Sequence, residues 1–154
     1  MRGAVVSLLG ACFGAVLVFF HVGFEARAEG IATDLTCEFE GGLSSSYSGG
    51  TFASRAPLPL RFGIGEIDLE KQSARLRVGG SDGPATTLRV IRALNANHFL
   101  EVVPEGFLVL TTVYDIDPAV GAYPAVHSRH LGVLGQPVFA QYPGFCKAVP
   151  PAAR

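Results

Sequence analysis

Three histidines and one arginine carry the most distinctive chemistry in this chain. Two of the histidines lie in the segment His127-Ser128-Arg129-His130, and His98 precedes them. Imidazole binds zinc well, and three imidazoles with one water molecule would form a catalytic zinc centre. On a β-strand, residues three apart point to opposite faces, so His127 and His130 converge only if the segment turns or bulges. His98, His127, His130 and Arg129 are therefore candidate metal-ligating or binding residues. The alternative is that they hydrogen-bond to solvent or to loop backbone.

The segment 79–83, Gly-Gly-Ser-Asp-Gly, has the spelling of a hydrolase nucleophile motif, G-x-S-x-G. Ser81 is followed by aspartates and then by histidines, which is the chain order of an α/β-hydrolase triad. A nucleophile elbow needs a strand before it and a helix after it, whereas this segment leads through Pro84 into another strand pattern. We interpret the segment as a hairpin turn and assign no catalytic residue.

Acidic and aromatic residues in and near the longest loop define a candidate binding surface. The pair Asp115 and Asp117 hints at a calcium loop, but the further oxygen ligands and closing glutamate of such a loop are missing. An aspartate before proline is ordinary turn chemistry. Because long loops tend to carry function, we expect Glu101, Tyr114, Asp115 and Asp117 to contribute to binding.

The elements that must position these residues are β-strands. Apolar and polar residues alternate over most of the range from Leu35 to Tyr142, as in Ala74, Leu76 and Val78. Turn-forming residues separate the runs, and a Ser/Gly-rich loop is expected over 41–50. About eight short strands with regularly spaced turns predict an all-β fold, a single antiparallel barrel or sandwich.

The alternation changes phase once. Leu60, Phe62 and Ile64 occupy even positions, whereas Ile67 and Leu69 occupy odd ones, and Gly63 and Gly65 lie at the change. Glycines at such a point are typical of a β-bulge or a tight bend that redirects the strand's buried face.

The N-terminus has the three parts of a secretory signal. Arg2 is followed by an uncharged run, Gly3–Phe24, and then by Ala26 and Ala28 in the small-x-small pattern of a cleavage site. We expect residues 1–28 to be a signal peptide and export to the periplasm or the exterior of a bacterium. The run approaches the length of a membrane span, so an uncleaved anchor is one alternative. Acylation of Cys12 in a lipobox-like Leu-Gly-Ala-Cys segment is another. The membrane is a partner only in these two cases.

Charge and cysteine content narrow the class of protein. The chain has 12 Lys and Arg residues against 13 Asp and Glu residues, so it lacks the positive charge of a nucleic-acid-binding protein. One domain is expected over 29–147, with a disordered tail over 148–154. It contains Cys37 near its start and Cys146 near its end, an even pair that predicts a structural disulfide in an oxidising compartment.

The layout resembles small exported bacterial β-barrel and β-sandwich proteins of unknown role. In these proteins an early strand carries a cysteine, here Leu35–Phe39, and a final Tyr/Gly-rich strand carries its partner, here Gln141–Cys146. Membrane-associated lysozyme inhibitors share this general plan, although their inhibitory loop has no counterpart here. Lipocalins are similar in architecture, but their Gly-x-Trp signature cannot occur in a chain without tryptophan.

Together these features favour a non-catalytic envelope domain that binds another protein or a small ligand and needs no cofactor. The first alternative is a metal-assisted or hydrolytic enzyme that uses the histidines. The second is a membrane-anchored structural factor. Both alternatives depend on geometry or processing that the sequence does not display.

Overall fold

The computed structural model describes residues 31–79, 85–103, 106–133 and 135–150, and these form ten β-strands. The signal-like segment, most of the G-x-S-x-G motif and the last four residues lie outside the described residues. The strands are β1 Leu35–Phe39, β2 Leu43–Ser48, β3 Thr51–Arg55, β4 Leu60–Asp68, β5 Ser73–Arg77, β6 Ala85–Arg92, β7 Ala96–Val103, β8 Phe107–Tyr114, β9 Tyr123–Val133 and β10 Gln136–Ala148.

Eight of the ten strands close an antiparallel barrel. The neighbour order is β1-β4-β5-β6-β7-β8-β9-β10, and β10 pairs again with β1. The remaining two strands, β2 and β3, extend the sheet from the first half of β10. The predicted all-β fold is confirmed, and of the two predicted architectures the barrel is the one observed. The described residues include no helix long and apolar enough to cross a membrane.

The half of the barrel that contains Cys37 and Cys146 is filled by side chains. Alternate residues of each strand point inward, and the largest of them are fully buried. Phe39 stacks on Phe62 with ring centroids 5.5 Å apart. The buried cluster consists of Leu35, Cys37, Phe39, Phe62, Ile64, Ile67, Ala74, Leu88, Val90, Phe99, Val113, Ala125, Ala140, Tyr142 and Cys146.

The predicted change of phase in β4 is confirmed as a β-bulge. The register between β4 and β5 shifts between Gly65 and Asp68, and Glu66 has a positive φ of 53°. The extra residue lets Ile64 and Ile67 both point into the core although they are three apart.

A disulfide joins the first and last strands of the barrel. Cys37 and Cys146 are directly opposite in the β1–β10 pairing, with Cα atoms 4.0 Å apart and both side chains completely buried. The predicted pairing is therefore observed. The β1–β10 ladder is short, spanning Leu35 to Glu38, so the disulfide reinforces the seam at which the barrel closes.

The same seam requires a glycine in β10. A Cβ atom at position 144 would overlap the backbone carbonyl oxygen of Glu38 and would lie 2.6 Å from Cδ1 of Phe39, closer than real Cβ atoms approach other heavy atoms. Gly144 therefore allows β1 to pack directly against β10.

Substituting this glycine tests the close approach. We expect Gly144→Ala to lower the free energy of unfolding by about 2–3 kcal/mol, because β1 must shift away from β10. Gly132→Ala, at an exposed position of β9 with nothing within 4 Å of the added Cβ, is the matched control. Urea unfolding measures both variants. Equal stability of the two variants would contradict the close-approach argument.

The Ser/Gly-rich segment is a hairpin and not the loop expected over 41–50. Leu43–Ser48 forms β2, which pairs with β10 and with β3. Gly49 and Gly50 have φ values of 59° and 86°, as the two central residues of a type I′ turn require. The prediction was wrong because serine has little strand preference by itself, whereas pairing on both sides supplies the missing stabilisation.

Candidate functional site

His127 lies inside the barrel and both of its ring nitrogens are engaged. Its side chain projects from β9 into the core and is 3% exposed. Nε2 lies 3.0 Å from Nε of Arg129, and Nδ1 lies 2.9 Å from Oγ1 of Thr111. A guanidinium can only donate, so Nε2 accepts the bond from Arg129. The ring proton of a neutral His127 is therefore on Nδ1, which donates to the threonine hydroxyl.

Aromatic side chains enclose the His127 ring. Its centroid is 5.0 Å from that of Phe62, 5.6 Å from that of Phe39 and 5.8 Å from that of Tyr142. Burial disfavours the charged imidazolium, and the nearby charge of Arg129 adds to this effect. Together they lower the pKa of His127 to about 4. His127 is thus a neutral structural side chain at neutral pH.

Arg129 lies on top of this aromatic layer. It is the next inward-facing residue of β9 after His127, and its guanidinium carbon is 5.6 Å from the centroid of the Tyr142 ring. The side chain is half-buried. Its Nε–H donates a hydrogen bond to His127, so the two Nη groups of the guanidinium remain for other partners.

The other two candidate histidines lie on the outer face of the barrel. Nδ1 of His98, on β7, is 3.0 Å from Oγ1 of Thr112 on β8. His130 is exposed and lies opposite Phe139 of β10. The structure therefore does not bring His98, His127 and His130 together. Among the described residues no group of three His, Cys, Asp or Glu side chains is arranged to hold a metal ion.

The residues expected to share one binding surface lie at opposite ends of the barrel. Glu101 faces inward near the end that carries the β2–β3 turn. Tyr114 pairs with Ala96 at the start of β7, five residues from Glu101, a separation of about 17 Å along the strand. The four residues therefore do not form one surface.

The loop aspartates have local structural partners. Oδ1 of Asp115 accepts a hydrogen bond from Arg92 at 3.3 Å. Oδ1 of Asp117 accepts one from the backbone N–H of Ala119 at 2.9 Å, the pattern of an Asx-turn. These contacts order the loop and account for the aspartates without a bound ion.

Sequence reasoning missed an aromatic cluster on the outer face of the β2–β3 hairpin. The ring of Phe52 lies 5.0 Å from that of Tyr47 and 5.9 Å from that of Phe139. The exposed fractions are 58% for Phe52, 36% for Tyr47 and 37% for Phe139. We call these three residues the hairpin cluster. The sequence signal for the hairpin was the pair Gly49-Gly50 between two short polar and aromatic runs. This hairpin places Tyr47 and Phe52 opposite each other.

The hairpin also presents a free backbone edge. In the described part of the chain β3 pairs with β2 alone, and all five of its residues are exposed. A two-residue turn makes Ser48 and Thr51 a hydrogen-bonded pair. Alternation along the ladder then directs the backbone groups of Phe52 and Ser54 away from β2. The N–H and C=O groups of these two residues form the free edge of β3.

Comparisons of the chain with protein families, with curated proteins and with solved structures find no match.

Proposed function

We propose that this protein is an exported binding domain that holds an extended segment of another protein against the free edge of β3. The observation that carries the proposal is the coincidence of that edge with the hairpin cluster. Backbone groups at the edge would pair with a partner strand, and the rings beside it would pack against the side chains of that strand.

The hairpin lacks the features that normally keep a strand edge unpaired. Exposed edges are usually protected by charges, prolines or bulges. Between Leu43 and Arg55 the sole charged residue is Arg55, at the last position of β3, and there is no proline. An edge of this kind favours pairing with another chain.

The occupant is a polypeptide for reasons of geometry and chemistry. Only an extended backbone supplies donors and acceptors at the spacing of a β-ladder. The hairpin cluster adds apolar contact on one face, which favours a segment with apolar residues at alternate positions. The nearly uncharged hairpin places no strong demand on the charge of the segment.

Two features support the proposed exported setting. The Cys37–Cys146 disulfide is compatible with an oxidising compartment, where protein disulfides persist. A signal-like N-terminus points to the same setting, so the partner would be a protein of the bacterial envelope.

The state of His127 inside the barrel supports a binding function over a catalytic one. His127 is held neutral, and both of its nitrogens are bonded within the barrel. Its ring is therefore engaged in packing and hydrogen bonding, whereas the proposed binding surface lies on the outer face of the barrel.

Selection of peptides from a random displayed library against the folded protein tests the proposal. We expect the selected peptides to alternate apolar residues and to shift the amide NMR signals of Thr51–Arg55. Replacing peptide backbone amides by N-methyl amides should abolish binding, because the ladder donors are removed. Peptides that shift signals elsewhere on the barrel would overturn the proposal. A dimer that forms through β3 would also overturn it, since the occupant would then be a second copy.

A charge placed in the hairpin cluster gives a sharper test. We expect Phe52→Lys to weaken peptide binding about tenfold or more, because the ring contact is lost and a charge protects the edge. Phe145→Lys is the matched control, since Phe145 is 49% exposed on the outer face of β10 at the other end of the barrel. Titration calorimetry compares the two variants. Equal losses would show that the hairpin cluster is not the binding surface.

A further inference from the structure

The inward residues of the barrel are buried in one half and only partly buried towards the end that carries the β2–β3 turn, and Arg129 lies at the boundary. On the side of Arg129 towards the disulfide, the next row of inward residues on β8 to β10 is formed by Thr111, His127 and Tyr142, all at most 5% exposed. Level with Arg129 and on its other side, several inward apolar positions of β7 to β10 are half-buried instead. These half-buried apolar residues are Val103, Phe107, Val109, Leu131 and Val138. We call this partly buried end of the barrel interior the mouth.

The side chain of Arg129 is held in place from two sides. Nε donates to Nε2 of His127 at 3.0 Å, and the guanidinium lies over the Tyr142 ring. The Thr111 hydroxyl in turn holds the other ring nitrogen of His127 at 2.9 Å. The guanidinium is thus oriented before any ligand arrives, which reduces the entropy cost of binding.

The charge of Arg129 is not neutralised by the described residues. Arg129 forms no ion pair with a described residue, whereas Arg77, the other half-buried arginine in the described part of the chain, pairs with Glu66 and Asp34. Arg55 and Arg89 also form no ion pair with a described residue, but both are exposed. Among the described residues, the closest inward-facing acid by register is Glu101, which lies in the same row as Arg129 but is separated from it by β8, with Cα atoms about 10 Å apart. A half-buried guanidinium without a carboxylate partner retains the capacity to bind an anion.

From this arrangement we infer that the mouth is a binding site for an amphiphilic molecule whose anionic head group, a carboxylate or sulfonate, pairs with Arg129. The two Nη groups bind the head group, and the apolar residues of the mouth contact its hydrophobic part. The site is separate from the free edge of β3 and does not depend on the proposed function. Glu101 faces the same space and repels the anion, which limits the affinity.

Two fluorescent probes that differ by one charged group test the site. The anionic probe is 8-anilino-1-naphthalenesulfonate, and the neutral one is N-phenyl-1-naphthylamine, which has the same ring system without the sulfonate. We expect the full chain to bind the sulfonate more tightly than the neutral amine. No binding of the sulfonate, or no preference for it, would overturn the inference.

Three variants assign the binding to Arg129. Arg129→Gln should weaken sulfonate binding about tenfold or more, since a charged hydrogen-bonded pair is lost, and should leave the neutral probe unchanged. Glu101→Gln should strengthen sulfonate binding, because it removes the repulsion. Arg61→Gln, at an exposed arginine paired with Glu38, is the control and should change neither.

A second variant and a measurement on the wild-type protein test the site even where Arg129→Gln perturbs the fold. Arg129→Lys keeps the charge but not the planar fork and should retain part of the preference for the sulfonate. In wild type, sulfonate binding should shift the NMR signals of the His127 ring, which is bonded to Arg129. Sulfonate affinity that is the same in wild type, Arg129→Lys and Glu101→Gln would overturn the inference.

Discussion

Replacing Cys37 and Cys146 together by alanine is expected to lower the free energy of unfolding by about 4–5 kcal/mol. The disulfide closes a loop of 109 residues in sequence separation, and the chain-entropy estimate for so long a loop is of that size. The loss of packing at two fully buried positions acts in the same direction. Because typical domains have only about 5–15 kcal/mol of stability, the double variant should be near the limit of folding.

Denaturant unfolding of the oxidised protein and of the double variant measures this difference. A second measurement uses the burial of the sulfurs. Since both cysteines are 0% exposed, reduction by dithiothreitol should be slow in native buffer and should become fast in denaturant. Rapid reduction of the native protein would contradict the buried position of the bond. An unchanged free energy of unfolding would show that the β1–β10 seam closes without it.

Lowering the pH is expected to destabilise the protein through His127. Its pKa is about 4 in the folded protein, against 6.5 in the unfolded chain, so the unfolded chain binds the proton first as pH falls. The stabilising contribution is therefore complete above pH about 6.5 and is lost progressively down to pH about 4. A difference of this size corresponds to about 3 kcal/mol.

His127→Gln should remove this part of the pH dependence. The glutamine is neutral at every pH, and its amide oxygen can accept the hydrogen bond from Arg129, although the aromatic contacts are weakened. His130→Gln, at the exposed histidine, is the matched control and should retain the wild-type slope. Unfolding free energies from pH 7.5 to 4.5 compare the three proteins. A His127 ring signal that titrates near its ordinary pKa in the folded protein would disprove the prediction.

Much of the architecture follows from local patterns. Alternation of apolar and polar residues predicts strands because a strand exposes opposite faces at successive residues. The glycines at 63 and 65 predict the bulge, since they stand where the buried positions change from even to odd. The even cysteine pair at the two ends of the domain predicts the disulfide. These signals are short in range or depend on composition, so they can be recognised without knowing which strands meet.

The candidate site depended on long-range pairing. Residues three apart on a strand point to opposite faces, which separates His127 from His130 but does not decide which of them enters the core. That was decided by the closure of the barrel and by the register of β9 between β8 and β10. Register also placed Glu101 and Tyr114 at opposite ends, although both were expected at one surface.

The serine-rich β2–β3 hairpin also depends on long-range pairing, and local sequence patterns did not predict it. Its residues have little intrinsic preference for a strand, and its stability comes from pairing with a segment about 90 residues later in the chain. The hairpin cluster exists because that pairing places Phe139 beside Phe52. The sequence by itself therefore determined the type of fold, the bulge and the covalent closure. The tertiary structure alone decided which polar side chains are buried and which edge is free, because these depend on contacts between residues far apart in the chain.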